Sequence, residues 1–255
     1  MIAVRDVSKI FTTRAGDTVV AIENVTLDVG ADEFVTIVGA SGCGKSTLLK
    51  LIGGLIAPTT GQILLRGALV TRPSRDTGMV FQNPVLLPWR SVRDNILFPI
   101  EILGWPLREY RTEADRLIGL VGLRGFEHSI PRELSGGMQQ RVSICRALIH
   151  DPPLLLMDEP FGALDAMTRE ELGMELLSVW SERRKTVVFV THSIPEAILL
   201  ADRVVVMASR PGRIVTSVAI ALPRPRALEM EFQKEFEEYS KIIRSAIAAA
   251  RTRVS

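Results

Sequence analysis

The chain of 255 residues contains little cysteine, few aromatic side chains and almost no net charge. Its two cysteines, Cys43 and Cys145, lie far apart in the sequence, which disfavours a disulfide scaffold and makes a reducing cytoplasm the expected compartment. The 31 basic and 29 acidic residues leave a formal charge of +2. We therefore expect no nucleic-acid partner, because such partners are usually held by a strongly basic surface.

The sequence also lacks a long hydrophobic run. The longest uncharged stretch that we find, residues 51–65, is interrupted by three glycines and a proline, whereas a membrane-spanning helix needs roughly 20 apolar residues. Charged residues at Arg5, Asp6 and Lys9 interrupt the opening segment, so no signal peptide is predicted. Any membrane contact is therefore expected to be made through a partner.

The sequence consists mainly of short apolar runs separated by amphipathic stretches. They predict strands over residues 34–38, 78–81, 154–157, 186–190 and 204–207. Runs of this kind are typical of a mostly parallel sheet buried on both faces, which predicts an α/β fold. Alternating apolar and polar residues between Val19 and Val29 instead predict antiparallel strands at one edge.

Two regions have helical periodicity. Residues 95–103 and 108–121 predict helices of a subdomain, about 91–148, that is inserted into a main domain over 1–225. The tail, 226–255, predicts a C-terminal helix that either docks on its own domain or contacts another subunit. Its apolar face is formed by Leu228, Phe232, Phe236, Tyr239 and Ile243.

A glycine-rich loop follows the first buried strand and precedes a helix. Its residues are Gly39, Ala40, Ser41, Gly42, Cys43, Gly44, Lys45, Ser46 and Thr47. This is the pattern G-x-x-x-x-G-K-[ST], in which glycines turn backbone amides toward a polyphosphate at a helix start. Lys45 would supply a charge to the β- and γ-phosphates, and Ser46 a hydroxyl to Mg²⁺. Cys43 is either a reactive thiol facing the phosphates or a small filler.

A pair of carboxylates ends a second apolar run. Asp158 and Glu159 follow Leu154–Met157 directly. Buried carboxylates are costly without a cation or a proton partner. We therefore expect Asp158 to hold Mg²⁺, and Glu159 to orient and deprotonate the water that attacks the phosphate.

A second helix start has the features of a phosphate site. Ser135, Gly136 and Gly137 open a helix that continues to about residue 150. The serine hydroxyl, the glycine amides and the positive end of the helix dipole would all face an anion bound at this helix start. A simple kinase or GTPase needs only one such helix start.

Together, the phosphate loop, the Leu134–Arg141 segment and the carboxylate pair resemble the nucleotide-binding subunit of an ATP-binding cassette (ABC) transporter. The resemblance covers nearly the whole chain and implies a P-loop NTPase core of RecA-like type. It also implies a homodimer in which each ATP lies between one subunit's phosphate loop and its partner's Ser135–Gly137 segment. The expected cofactors are ATP and Mg²⁺.

Four further positions match this family one at a time. Gln82 resembles the glutamine that reaches Mg²⁺ and the attacking water, and His192 resembles the histidine that contacts the γ-phosphate. Asp165 resembles the aspartate that crosses the dimer interface, and Phe11 resembles the aromatic that stacks on adenine. The resemblance thus implies Glu159, His192, Gln82 and Lys45 as catalytic residues and Ser46, Gln82 and Asp158 as metal ligands.

Three residues depart from the family's usual pattern. Met138 stands where many cassettes have Gln, Ser193 stands where Asp often follows the histidine, and Cys145 replaces a small residue in the helix after Ser135. None of these changes removes a charge or a donor that is assigned to the chemistry. We therefore expect an active ATPase.

The stretches 82–95 and 159–169 are similar to the importer subgroup for taurine, nitrate and aliphatic sulfonates. The resemblance implies two permease subunits, an extracytoplasmic solute-binding protein and a location at the cytoplasmic face of the plasma membrane. Residues 86–89 would lie near the permease, unless Trp89 is used in local packing. An exporter cassette and a non-transport cassette ATPase are the alternatives.

Overall fold

The computed structural model describes residues 1–13, 16–162, 164–209 and 211–252. Within these ranges the strands are β1 (Ile2–Thr12), β2 (Thr18–Val29), β3 (Phe34–Gly39), β4 (Thr60–Leu65), β5 (Ala68–Leu69), β6 (Thr77–Val80), β7 (Leu154–Asp158), β8 (Thr186–Thr191), β9 (Arg203–Ala208) and β10 (Arg213–Ala219). The helices are α1 (Lys45–Ile52), α2 (Val92–Ile102), α3 (Leu107–Leu120), α4 (Gly136–Leu148), α5 (Ala166–Glu182), α6 (Ile194–Leu200) and α7 (Lys234–Thr252). No helix in these ranges is long and apolar enough to cross a bilayer.

The chain divides into two compact units. The first comprises Met1–Ser74 and Lys185–Ser255, and the second comprises Arg75–Arg184. The predicted main domain over 1–225, with a helical subdomain of about 91–148, stays a prediction. The two compact units are drawn at other bounds and do not test it.

The first unit contains two groups of strands. β2, β1, β4 and β5 form an antiparallel sheet in that order. β3 lies between β8 and β9 and is parallel to both, while β10 is antiparallel to β9. Every residue of β3 and β8 is buried. Full burial on both faces explains why these strands are mostly apolar and do not alternate between apolar and polar residues.

The second unit pairs β6 with β7 in parallel and carries helices α2, α3, α4 and α5. Polar side chains begin several of its helices: the Ser91 hydroxyl accepts a hydrogen bond from the Asp94 amide of α2 at 3.1 Å. Such caps satisfy amides that have no partner within the helix. The predicted strands and helices of this region are confirmed within a few residues.

The C-terminal helix begins later than its apolar spacing predicts. Residues Leu228–Phe232 form a 3₁₀ turn, Gln233 is extended, and α7 starts at Lys234. Phe236 and Ile243 are buried, whereas Phe232 is 92% exposed and lies off the packed face. The prediction of one helix from residue 226 was therefore wrong at its start. Glu235 and Glu237 in the first turn of α7 suit the positive end of the helix dipole, which favours a start there.

A buried arginine anchors the segment that leads to α7. Arg226 is 4% exposed, and its guanidinium donates to the carbonyls of Ile198, Leu199 and Ala201 at 2.8, 3.1 and 2.6 Å. It also donates to the carbonyls of Ile220 and Leu222. Burial lowers the pKa of this guanidinium to about 10, so it stays charged near neutral pH and satisfies carbonyls at the end of α6.

We expect Arg226→Ala to lower the free energy of unfolding by about 3 kcal/mol, because it leaves several buried carbonyls without a donor. The control is Arg5→Ala, which removes an exposed ion pair with Asp28 and should cost about 0–1 kcal/mol. Urea unfolding followed by circular dichroism measures both. Equal losses in the two variants would contradict the anchoring role of Arg226.

Candidate nucleotide site

The glycine-rich loop joins the carboxyl end of β3 to the start of α1. Gly42 and Gly44 have φ values of +76° and +92°, in the left-handed region that side chains other than glycine rarely adopt. The Leu48 amide donates to the Gly44 carbonyl at 2.8 Å, which begins the helix. The first turn of a helix directs its amides outward along the axis, where they suit an anion.

Crowding adds a second requirement for glycine. A Cβ on Gly44 would lie 2.8 Å from the carbonyl oxygen of Ala21 in β2, and one on Gly39 would lie 2.5 Å from that of Met207 in β9. The backbone of β2 and of β9 therefore packs closely against the loop. Only glycine fits at both positions without moving a strand.

The Lys45 side chain folds back over the loop. Its Nζ donates to the carbonyl oxygens of Gly39 and Ala40 at 3.1 and 3.3 Å and lies 3.9 Å from the Cys43 Sγ. Lys45 is 4% exposed and Cys43 is wholly buried. The ammonium is thus held in place by the loop, and the Cys43 thiol lies inside it, which favours the interpretation of Cys43 as a filler.

The other loop residues are more accessible: Ser41 is exposed, and Ala40, Ser46 and Thr47 are half-buried. His192 is also exposed and follows β8 directly. Because β3 and β8 are parallel and pair Val38 with Thr191, His192 and the loop leave the strands at the same edge. Ser193, the residue after His192, caps α6 by accepting from the Glu196 amide at 3.4 Å.

Phe11 lies on β1 of the antiparallel sheet. Phe11 is 41% exposed, and Lys9 Nζ lies 5.1 Å from the centroid of its ring. An exposed ring beside a cation can stack on a flat ligand, since stacking requires only an accessible face.

In the second unit, Gln82 and Glu159 lie close together. β6 and β7 pair Val80 with Met157, and Gln82 and Glu159 each lie two positions beyond that pair. A Cβ on Gly162 would lie 3.7 Å from Gln82 Nε2 and 3.6 Å from Glu159 Oε2. Asp158, at the end of β7, is 7% exposed. Parallel pairing therefore brings an amide and two carboxylates to one edge.

Glu159 has an unusual backbone conformation. Its φ is +44°, in the left-handed region, and its carbonyl accepts from the Gly162 amide at 3.0 Å. Such strain in a residue other than glycine or asparagine costs about 1–3 kcal/mol and concentrates at functional sites. No sequence signal predicts this turn.

The Ser135–Gly137 segment begins α4. The Ser135 hydroxyl accepts from the Met138 amide at 3.3 Å, and Ser135 and Gly136 are exposed while Gly137 is buried. Later in α4, burial raises the pKa of the Cys145 thiol, which donates to the Leu117 carbonyl. Cys145 is thus a packing residue.

Asp165 begins α5. Its carboxylate accepts from the Thr168 amide at 3.0 Å and from the Thr168 hydroxyl at 2.7 Å. The hydrogen bond from the Thr168 amide is the largest cause that lowers the pKa of Asp165 below its ordinary value, and the bond from the Thr168 hydroxyl is the second. The carboxylate is therefore ionised and fixed in direction.

Sequence reasoning missed three side chains that hold the segment around Gln82. Asn95 is fully buried, accepts from the Leu87 amide at 2.8 Å and donates to the carbonyl of Arg90 at 3.0 Å. Arg146 of α4 donates to the carbonyls of Pro84 and Val85, and Gln140 donates to that of Phe81. A signal existed for Asn95, since it lies between Val92 and Ile96 on the apolar face of α2.

This fold, with its phosphate loop at the end of a buried parallel strand, defines a P-loop nucleotide-binding protein. The chain belongs to the ABC transporter family, whose model matches residues 22–162. Proteins of this kind are ATPases coupled to transport, and the sequence-based family assignment is confirmed.

Individual relatives agree with this assignment. The chain is 46% identical over 213 residues to a taurine import ATP-binding protein of Roseobacter denitrificans, which covers 84% of this chain and 80% of the relative. It is 42% identical over 255 residues to a nitrate import ATP-binding protein of Synechocystis, with 98% and 96% covered. A solved ATP-binding cassette, described as a dimeric post-hydrolysis state bound to ADP and Pi, superposes with a TM-score of 0.78 at 32% identity and covers 88% of this chain and 100% of its own. The predicted α/β cassette fold is thereby confirmed.

We expect Gly44→Ala to lower the free energy of unfolding by about 2–4 kcal/mol, because it adds both backbone strain and a clash with Ala21. The matched control is Gly67→Ala, which has a φ of +82° but no atom within 4 Å of the added Cβ, and should cost about 1–2 kcal/mol. Chemical denaturation measures both variants. A Gly44→Ala chain as stable as the Gly67→Ala chain would contradict the crowding at the loop.

Proposed function

We propose that this chain is the ATP-hydrolysing subunit of an importer for a small anionic solute. In this proposal two copies form a homodimer beneath two permease subunits at the cytoplasmic face of the plasma membrane. The observation that carries the proposal is that one chain presents two helix starts suited to phosphate groups, at Lys45 and at Gly136. A protein that closed its nucleotide pocket alone would need only the first.

ATP is bound by residues of both subunits. The loop from Gly39 to Thr47 surrounds the phosphates with amides, and the Lys45 ammonium neutralises their charge. The Phe11 ring stacks on adenine. The partner contributes Ser135, Gly136, Gly137 and Asp165.

Hydrolysis is carried out by Glu159, Gln82 and His192. Glu159 accepts a proton from water as the water oxygen bonds to the γ-phosphorus, and the bond from that phosphorus to the bridging oxygen of ADP breaks. Gln82, which lies beside Glu159 near Gly162, orients the water. His192 contacts the γ-phosphate. Phosphoryl transfer depends mainly on positioning and charge neutralisation.

The oxygen donors of this chain suit Mg²⁺. The proposed ligands are the Ser46 hydroxyl, the Gln82 amide oxygen and the Asp158 carboxylate, all of the type that Mg²⁺ prefers. Among the residues that the structure describes, no group of three or more His, Cys, Asp or Glu could hold a metal. Ser46, Gln82 and Asp158 would hold an ion that binds together with the nucleotide, and such an ion would supply positive charge to the phosphates.

Three exposed apolar side chains suit contact with the permease. Val85 is 62% exposed, Trp89 74% and Ile102 70%, so Trp89 is not used in local packing. The loop that carries Val85 and Trp89 is held by Asn95 and Arg146. Apolar side chains that are exposed on an anchored loop are typical of a partner contact.

Import of a small solute that carries an anionic group is supported by the relatives, which are named for taurine and nitrate import. The test is to purify the chain with its membrane partner in proteoliposomes and to measure which solute stimulates ATP hydrolysis. An importer responds when the solute is presented with its binding protein on the extracytoplasmic side. Stimulation by solute added only on the side of the cassettes would support an exporter instead.

We expect Glu159→Gln to keep ATP binding and to slow hydrolysis about 10²–10⁴-fold, because it removes the general base. Phosphate release and binding of a fluorescent ATP analogue measure the two effects. The control is Glu170→Gln on the exposed face of α5, which should hydrolyse ATP at the wild-type rate. Phosphate release at the wild-type rate from Glu159→Gln would overturn the assignment.

A composite site predicts complementation between two inactive variants. Glu159→Gln chains keep Ser135–Gly137, and Ser135→Glu chains keep the phosphate loop and Glu159, so a mixed dimer has one complete site. An equal mixture should recover about a quarter of the wild-type rate, since half of the dimers are mixed. Each variant measured alone is the control. No recovery, with mixed dimers confirmed by tag pull-down, would contradict a shared site.

A further inference from the structure

Thr168, in the first turn of α5, contacts the Ser135–Gly137 segment through its methyl group. A Cβ on Gly137 would lie 2.9 Å from the Thr168 Cγ2. The methyl group therefore packs on the bare backbone of Gly137, where a Cβ would force the Thr168 side chain or the helix start to shift. This packing sets how closely the start of α4 approaches the start of α5.

The hydroxyl and amide of the same residue hold Asp165. The Thr168 Oγ1 donates to Asp165 Oδ2 at 2.7 Å and the Thr168 amide donates to Oδ1 at 3.0 Å. Both carboxylate oxygens are thus engaged by one residue. Because a β-branched side chain has few accessible rotamers, its methyl and hydroxyl groups cannot turn independently.

We propose that Thr168 is a positioning residue that holds Ser135–Gly137 and Asp165 of one chain at a fixed spacing, so that both act together on the nucleotide bound by the partner. This inference rests on the proposed function, because it requires a site shared between two copies. The alternative is that Thr168 only stabilises the start of α5, like any residue beside a helix cap.

Two substitutions separate the contacts of Thr168. Thr168→Ser keeps the hydroxyl and removes the methyl group that packs on Gly137, whereas Thr168→Val keeps a methyl group and removes the hydroxyl that holds Asp165. Thr112→Ser, at an exposed threonine of α3, is the matched control. All three variants should keep the affinity of the chain for a fluorescent ATP analogue, because none alters the phosphate loop.

The test places each substitution in one or the other partner of the complementing mixture. In the Glu159→Gln chain, Thr168 lies in the same chain as the intact Ser135–Gly137 segment, so its substitution should lower the recovered rate of ATP hydrolysis. In the Ser135→Glu chain, Thr168 lies beside a segment that is already inactive, so its substitution should leave the recovered rate unchanged. A role limited to helix stability would give the same effect in both placements.

We expect Thr168→Ser and Thr168→Val to lower the recovered rate about 5- to 20-fold when placed in the Glu159→Gln chain, as misplacement of a positioned group does. In the Ser135→Glu chain the rate should stay within about twofold of the reference mixture. Thr112→Ser should leave the rate unchanged in both. Thermal unfolding midpoints within about 4 °C of the parents would show that the fold is kept.

Equal losses in the two placements, or no loss in either, would overturn the positioning role of Thr168. A reference mixture that recovers no activity would instead contradict the shared site of the proposed function, and this inference with it. The two failures are therefore distinguished by the reference mixture alone.

Discussion

Parallel pairing of buried strands is the constraint on which the rest of this structure depends. In the first unit, β3 pairs with β8 and β9 in the same direction, so the phosphate loop and His192 start from one edge. In the second unit, parallel pairing of β6 with β7 does the same for Gln82 and Glu159. Residues that are far apart in the sequence meet because parallel strands end together.

Backbone crowding and buried polar side chains then restrict the loops at these edges. Gly39 and Gly44 fit against the carbonyls of Met207 and Ala21 with no room for a Cβ. Asn95 and Arg146 hold the loop that follows Gln82 through backbone carbonyls. Loops held in this way lose little conformational freedom when a ligand binds, which suits a reaction that depends on positioning.

The strands were easier to predict from the sequence than the start of the C-terminal helix. The strand signals were strong because β3, β7 and β8 are buried on both faces and are therefore mostly apolar. The start of α7 was predicted wrongly, because the spacing of Leu228 and Phe232 fits a helical face although these residues form a 3₁₀ turn. Periodicity reports which residues could share a face and does not report where a helix is interrupted.

The sequence by itself determined the class of fold, the family, the phosphate loop and the two helix starts, because these depend on local residue patterns. Only the tertiary structure decided that Glu159 adopts a left-handed conformation, that Cys43 is buried within its loop and that Thr168 joins Gly137 to Asp165. These features arise from contacts between segments that lie far apart in the chain or from a turn that its neighbours impose. Their geometry is therefore decided by packing and not by local sequence.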